Sequence, residues 1–112
     1  RQIRADRARA RMMVAVPTAD VVVTNPTHFA VALKYESELM SAPKVVAKGV
    51  DEVAFRIREV ANENNVPIVE NPSLARALFA AADIDDEVPS EHYKAVAEII
   101  SYVFQLKKKT PN

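Results

Sequence analysis

Apolar residues recur along the chain with two different periods. Val21-Val22-Val23-Thr24 is a β-branched run between Asp20 and Asn25, which predicts a buried strand. Residues 29–35 alternate and put Phe29, Val31, Leu33 and Tyr35 on one face of a second strand. Residues 44–48, where two lysines enclose Val45-Val46-Ala47, predict a short third strand, and Pro67-Ile68-Val69 a fourth. Elsewhere the spacing is helical. Val53, Ala54, Ile57, Val60 and Ala61 mark a helix over 51–63, and Leu74, Ala75, Leu78, Phe79 and Ala82 mark a second. Tyr93, Val96, Ala97, Ile100, Val103 and Phe104 give the inner face of a last helix, with Ser90 as its expected cap. Residues 1–13 read as an Ala/Arg helix whose only large aliphatic residue before Met12 is Ile3. So thin a stripe predicts an exposed helix, which Pro17 interrupts. The order β-β-β-α-β-α-α predicts an α/β (α+β) fold: a small four-stranded sheet packed with helices, preceded by an exposed N-terminal linker helix.

Composition narrows this picture. The 112 residues, 49% apolar, suit one domain with a modest core. There is no run of 18 apolar residues, so no spanning helix is expected, and the lack of cysteine excludes disulfides and thiolate chemistry. A single glycine leaves the turns to Pro, Asn, Asp and Ser. Formal charge sums to zero but is divided. Residues 1–11 hold five arginines against Asp6, residues 107–109 are lysines, and the remainder has seven basic and fourteen acidic side chains. A basic arm on an acidic body fits either a charged surface or a solvated helix. The chain begins at Arg1 rather than Met, which suggests a piece of a longer protein. The expected division is 1–16 as a basic linker helix, 17–106 as the working domain and 107–112 as a basic tail.

The candidate chemistry lies in two Asn-Pro pairs. Asn71-Pro72 opens a helix, with Asn as cap and Pro at the first helical position, a structural use. Asn25-Pro26 sits between two strands and is followed by Thr27 and His28. Because Pro26 has no N–H, the usual attack of the next backbone nitrogen on the asparagine side chain is closed. The converse attack stays open. The Asn25 amide nitrogen can close on its own backbone carbonyl, form a succinimide and expel the proline nitrogen. An amide nitrogen is a poor nucleophile, so a turn would have to hold it near about 3–3.5 Å or twist the amide out of plane. Histidine is the side chain type whose charge changes nearest neutral pH, so His28 could relay a proton. The alternative is an inert type I turn with Pro second.

Val21 to Leu33, read as Val-Val-Val-Thr-Asn25-Pro26-Thr27-His28-Phe-Ala-Val-Ala-Leu, resembles the type III export switch proteins, the FlhB/YscU family of flagellar and injectisome export gates. The approach through Met12-Met13, Val16-Pro17 and Ala19-Asp20 is similar too. So are Ser41-Ala42-Pro43-Lys44-Val45-Val46-Ala47-Lys48-Gly49, Arg56-Ile57-Arg58-Glu59 and Leu74-Ala75-Arg76-Ala77-Leu78, the last nearer the flagellar branch. The resemblance implies that Asn25, Pro26, Thr27 and His28 form a self-cleavage site cut between Asn25 and Pro26, with the fragments staying together. It implies a switch of export from rod- and hook-type to filament-type substrates. The expected partners are a hook-length ruler protein, export substrates and other export-gate components. It implies upstream membrane helices in a bacterial inner membrane, with this chain as their cytoplasmic domain and 1–11 near the leaflet. Such a domain acts once, on itself, and is no enzyme in the ordinary sense.

The resemblance also implies an apolar patch where cargo docks, with Ala42, Pro43, Ala97 and Ile100 as its matching positions. Ala97 and Ile100 also fall on the stripe assigned to the core. Lys44 and Lys48, with Lys34, would make a basic sheet edge, either for an acidic partner or as edge protection. No cofactor and no metal site are expected: His28 and His92 lack further ligands at useful spacing, and 83–87 lacks the glycine of a calcium loop. Two other readings stand beside the switch. One is a non-cleaving adaptor that docks export substrates. The other is a nucleic-acid module using the arginine arm, which the acidic body disfavours.

Overall fold

Three consecutive valines cannot alternate between an apolar and a wet face, so they demand a strand covered on both sides. β1 (Val21–Asn25) is that strand, and Val21, Val22 and Val23 are fully buried. The computed structural model describes residues 2–26, 28–36, 38 and 41–109. Among them the order is α1 (Gln2–Ala15), β1, β2 (Phe29–Lys34), β3 (Lys44–Val50), α2 (Asp51–Glu63), β4 (Ile68–Glu70), α3 (Pro72–Ala81) and α4 (Tyr93–Lys109). The sheet runs β3-β2-β1-β4, with β1 antiparallel to β2 and parallel to β4. This is the α+β sheet-and-helix fold that the hydrophobic pattern predicts.

Side-chain alternation divides the core. Val21, Val23, Val31, Leu33 and Val45 face α3 and α4, where Leu74, Leu78, Val96, Ile100 and Val103 meet them. Phe29 and Tyr35 join that face, as the alternation predicts. Val22, Ala30, Ala32 and Ala47 face α2, through Ala54, Ile57, Val60 and Ala61. A bulge opposite Ala32 and Leu33 leaves Val46 as the extra residue of β3. Val45 therefore packs toward α3 and α4, whereas Val46 and Ala47 both pack toward α2.

α1 is exposed over Asp6–Arg11, as its thin stripe predicts, but its last turn is not. Met12 and Met13 are half-buried, and Val16, in the 3-10 turn Val16–Thr18 beyond it, is fully buried on the α2 face. At the other end of the chain two expectations are corrected. Ser90 does not cap the last helix. It lies in a separate 3-10 turn, Ser90–His92, and α4 starts after it at Tyr93. Nor does the expected inner face hold, because Tyr93 and Phe104 are 41% and 40% exposed and Ala97 is exposed. α4 carries two overlapping apolar stripes that share Ile100. The core takes Val96, Ile99, Ile100 and Val103, and leaves Tyr93, Ala97 and Phe104 at the flank.

β3 passes into α2 with no intervening residue. Gly49 permits this, since a Cβ there would lie 2.7 Å from Val53 Cβ and 3.2 Å from the Val53 backbone carbon. Gly49→Ala, made in chains that also carry Asn25→Ala, is expected to lower stability by about 1–3 kcal/mol in urea unfolding. With one glycine, left-handed backbone falls to Asp51, Asn65 and Asp85, residue types that tolerate it.

Candidate functional site

Asn25 ends β1 and is registered against Phe29, the first residue of β2, so Asn25 to His28 is the tight reversal between adjacent strands. The His28 N–H donates to the Asn25 carbonyl oxygen at 2.9 Å, closing the turn across Pro26. That oxygen belongs to the peptide bond between Asn25 and Pro26. Thr27 lies outside the described residues.

The turn is braced from three sides. Phe29 pairs with Val50 at the end of β3, and its ring packs on Phe79 of α3 with centroids 5.1 Å apart. The Asp51 N–H donates to the His28 carbonyl at 3.0 Å, and Asp51 Oδ1 lies 3.7 Å from His28 Nδ1. On the β1 side, the Asn71 N–H donates to the Thr24 carbonyl at 2.9 Å. Asn71 also caps α3, its Oδ1 accepting from the Leu74 N–H at 3.3 Å, with Pro72 opening the helix. The second Asn-Pro pair thus has the structural use its sequence predicts. Asn25 is half-buried while Pro26 and His28 are exposed, so the peptide bond between Asn25 and Pro26 sits where an ordered strand meets solvent.

The patch residues meet elsewhere. Ala42 and Pro43, from the β2–β3 connection, face Ala97 and Ile100 of α4 across a groove of about 380 Å³. Tyr35, Ser41, Tyr93, Ser101 and Phe104 complete its walls. Ala42 and Ile100 are buried in its floor and Ala97 is exposed on its rim. Tyr93 and Phe104 carry most of its exposed aromatic surface, and the patch reading missed them because they were assigned to the core.

The two lysines do not join this groove. Lys48 Nζ donates to the Phe79 carbonyl at 2.9 Å, lies 4.7 Å from the Phe79 ring centroid and 3.5 Å from Asp83 Oδ1. It neutralises the carbonyl end of α3, a favourable place for a cation. Lys44 opens β3, registered against Lys34 on one side and bridged to Glu87 on the other. The acidic connection covers this part of the sheet edge. The Asp85 N–H donates to the Val45 carbonyl and the Val45 N–H to the Asp86 carbonyl.

Comparison with known proteins identifies the family and the fold. The chain belongs to the FlhB HrpN YscU SpaS family, whose model matches residues 1–103. It is 56% identical over 108 residues to the flagellar biosynthetic protein FlhB of Escherichia coli K12, covering 96% of this chain and 28% of that protein. FlhB of Bacillus subtilis 168 is 52% identical over 109 residues, covering 97% and 30%. The chain thus spans under a third of the length of these curated relatives. Among solved structures, the cytoplasmic domain of FlhB from Shewanella putrefaciens matches with a TM-score of 0.86 at 47% identity, over 93% of this chain and 84% of that one. The C-terminal domain of a mutated EscU, bearing an Asn-to-Ala substitution, matches with a TM-score of 0.80 at 26% identity, over 82% and 92%. No helix among the described residues is long and apolar enough to cross a membrane.

Proposed function

We propose that this member of the FlhB HrpN YscU SpaS family is the cytoplasmic regulatory domain of a flagellar type III export gate, and that it cuts its own backbone between Asn25 and Pro26. The observation that carries the cleavage reading is the 2.9 Å hydrogen bond from the His28 N–H to the Asn25 carbonyl oxygen. Asn25 Nδ2 attacks the carbonyl carbon of the same residue, and negative charge builds on that oxygen. A preorganised backbone donor at hydrogen-bond distance stabilises such charge without reorganising. The carbon–nitrogen bond to Pro26 then breaks. One proton leaves Nδ2 and one reaches the proline nitrogen, so the products are a C-terminal succinimide at Asn25 and a secondary amine at Pro26. His28 is exposed to solvent for proton exchange.

Two further parts of the proposal rest on likeness to the family. The cut domain stays assembled and switches export from rod and hook to filament substrates, acting with a hook-length ruler protein and the other gate components. Upstream membrane helices hold it at the inner face of a bacterial inner membrane. The domain reacts once and turns over no external substrate.

Intact mass under denaturing conditions tests the cleavage. Two fragments meeting at Asn25 and Pro26 are expected, and one undivided mass after days at neutral pH would sink it. In that case the groove favours the adaptor reading, because an apolar trough of about 380 Å³ with Tyr93 and Phe104 on its walls suits an apolar peptide segment. The groove serves cargo docking under both readings. Ala97→Asp, on its rim, is expected to weaken binding of purified hook-type substrates about tenfold, roughly 1.4 kcal/mol. Stability, read by thermal unfolding, should change by no more than about 0.5 kcal/mol, as for most surface substitutions.

A further inference from the structure

Asp51 is the first residue of α2 and has φ of 47°, in the left-handed region. Non-glycine residues seldom adopt that conformation, and Asp and Asn do so more readily than others. Its cause is the junction itself. With Gly49 and Val50 still in β3 and Val53 already over Gly49, the chain must turn from strand to helix at a single residue. The result is a backbone N–H aimed away from the helix, and it donates to the His28 carbonyl at 3.0 Å.

We propose that Asp51 is the positioning residue of the cleavage turn: its left-handed backbone presents an N–H that holds the His28 carbonyl, and so keeps the His28 N–H on the Asn25 carbonyl oxygen. This rests on the self-cleavage reading. The two hydrogen bonds involve the two backbone groups of one residue, so His28 is fixed at both its ends. Releasing the carbonyl lets residue 28 rotate and takes its N–H off the reacting oxygen. The side chains matter less. His28 and Asp51 are 66% and 74% exposed and 3.7 Å apart, a solvated pair of the kind that contributes little. Asp51 is therefore selected for a conformation more than for a charge.

Side-chain type and backbone tolerance can be separated. Asp51→Asn keeps the left-handed preference and removes the charge, and its cleavage half-life should stay within about threefold of the parent. Asp51→Ala removes the charge and disfavours the conformation, and cleavage should slow about tenfold, a barrier change of roughly 1.4 kcal/mol. Ile57→Val, a buried change in α2, is the control for stability. Scission occurs in the folded molecule, so a variant that melts lower but stays folded at the assay temperature should cut at the parental rate. Equal half-lives for Asp51→Asn and Asp51→Ala would overturn the proposal.

A second measurement needs no cleavage. In Asn25→Ala protein, amide hydrogen exchange at His28 and Asp51 should speed up about tenfold on adding Asp51→Ala and stay unchanged on adding Asp51→Asn. Unchanged exchange at His28 in both would overturn the clamp even if the parent cuts. Faster exchange in a chain whose parent never cuts would keep the clamp and remove only the self-cleavage reading.

Discussion

Asn25→Ala should leave a single chain where the parent gives two fragments, with no residual cleavage on any practical timescale. The argument is chemical. The alanine side chain has no nucleophile, and the remaining route is uncatalysed hydrolysis of an amide. A scission half-life of about a minute corresponds to a barrier of roughly 20 kcal/mol, and every 1.4 kcal/mol added is tenfold in rate. The fold should be unaffected, since Asn25 is the half-buried last residue of β1 and its pairing with Phe29 uses backbone groups. Pro26→Ala separates the nucleophile from the leaving group. It keeps Asn25 but supplies an N–H at residue 26, so the ordinary attack on the asparagine side chain opens and deamidation competes with scission. Denaturing mass spectra therefore distinguish three results: two fragments, one unchanged chain, and one chain with the small mass gain of deamidation. Fragments from Asn25→Ala would overturn cyclisation and point to another nucleophile.

The strands and helices were largely legible because each hydrophobic period had one solution. The triple valine required a doubly covered strand, and 29–35 alternated cleanly, so β1, β2 and the Phe29–Val31–Leu33–Tyr35 face followed from sequence. Residues 51–63 matched α2 at both ends. The bulge at Val46 was not legible, because one extra residue in β3 shows only in the register with β2. On α4 the sequence was ambiguous rather than silent. Two apolar stripes share Ile100, and which one faces the sheet depends on where α3 and the segment ending at Val88 pack.

The candidate site divides the same way. Asn25, Pro26 and His28 were legible as a turn between two strands, and the missing N–H at Pro26 can be read from the letter alone. The donor on the Asn25 carbonyl could be inferred only as part of a turn. Asp51 could not be inferred: it is 26 positions from Asn25, and its relevance comes from a backbone angle. Lys48 shows the opposite error. A lysine beside an edge strand reads as a surface cation, but its ammonium is committed to the Phe79 carbonyl.

Once cut, the domain should melt at a lower temperature than its Asn25→Ala counterpart, and its Tm should rise with protein concentration. Scission removes a covalent link without removing a contact. Residues 1–25 contribute β1, held by β2 on one side and β4 on the other, with Val16, Val21, Val22 and Val23 fully buried. At about 1.5–3 kcal/mol for each fully buried valine, this segment has reason to stay in place at ordinary concentrations. Unfolding of the cut domain, however, releases two chains instead of one. A short link supplies an effective concentration near millimolar, so at about 10 µM protein its loss costs roughly 2.7 kcal/mol. For a domain of this size that lowers Tm by about 10–20 °C. Each tenfold dilution should lower it further, while the Tm of Asn25→Ala stays fixed. The comparison can be made by differential scanning calorimetry at several concentrations of both proteins. Equal, concentration-independent melting would mean that residues 1–25 do not leave when the domain unfolds, and would contradict retention by strand pairing and burial alone.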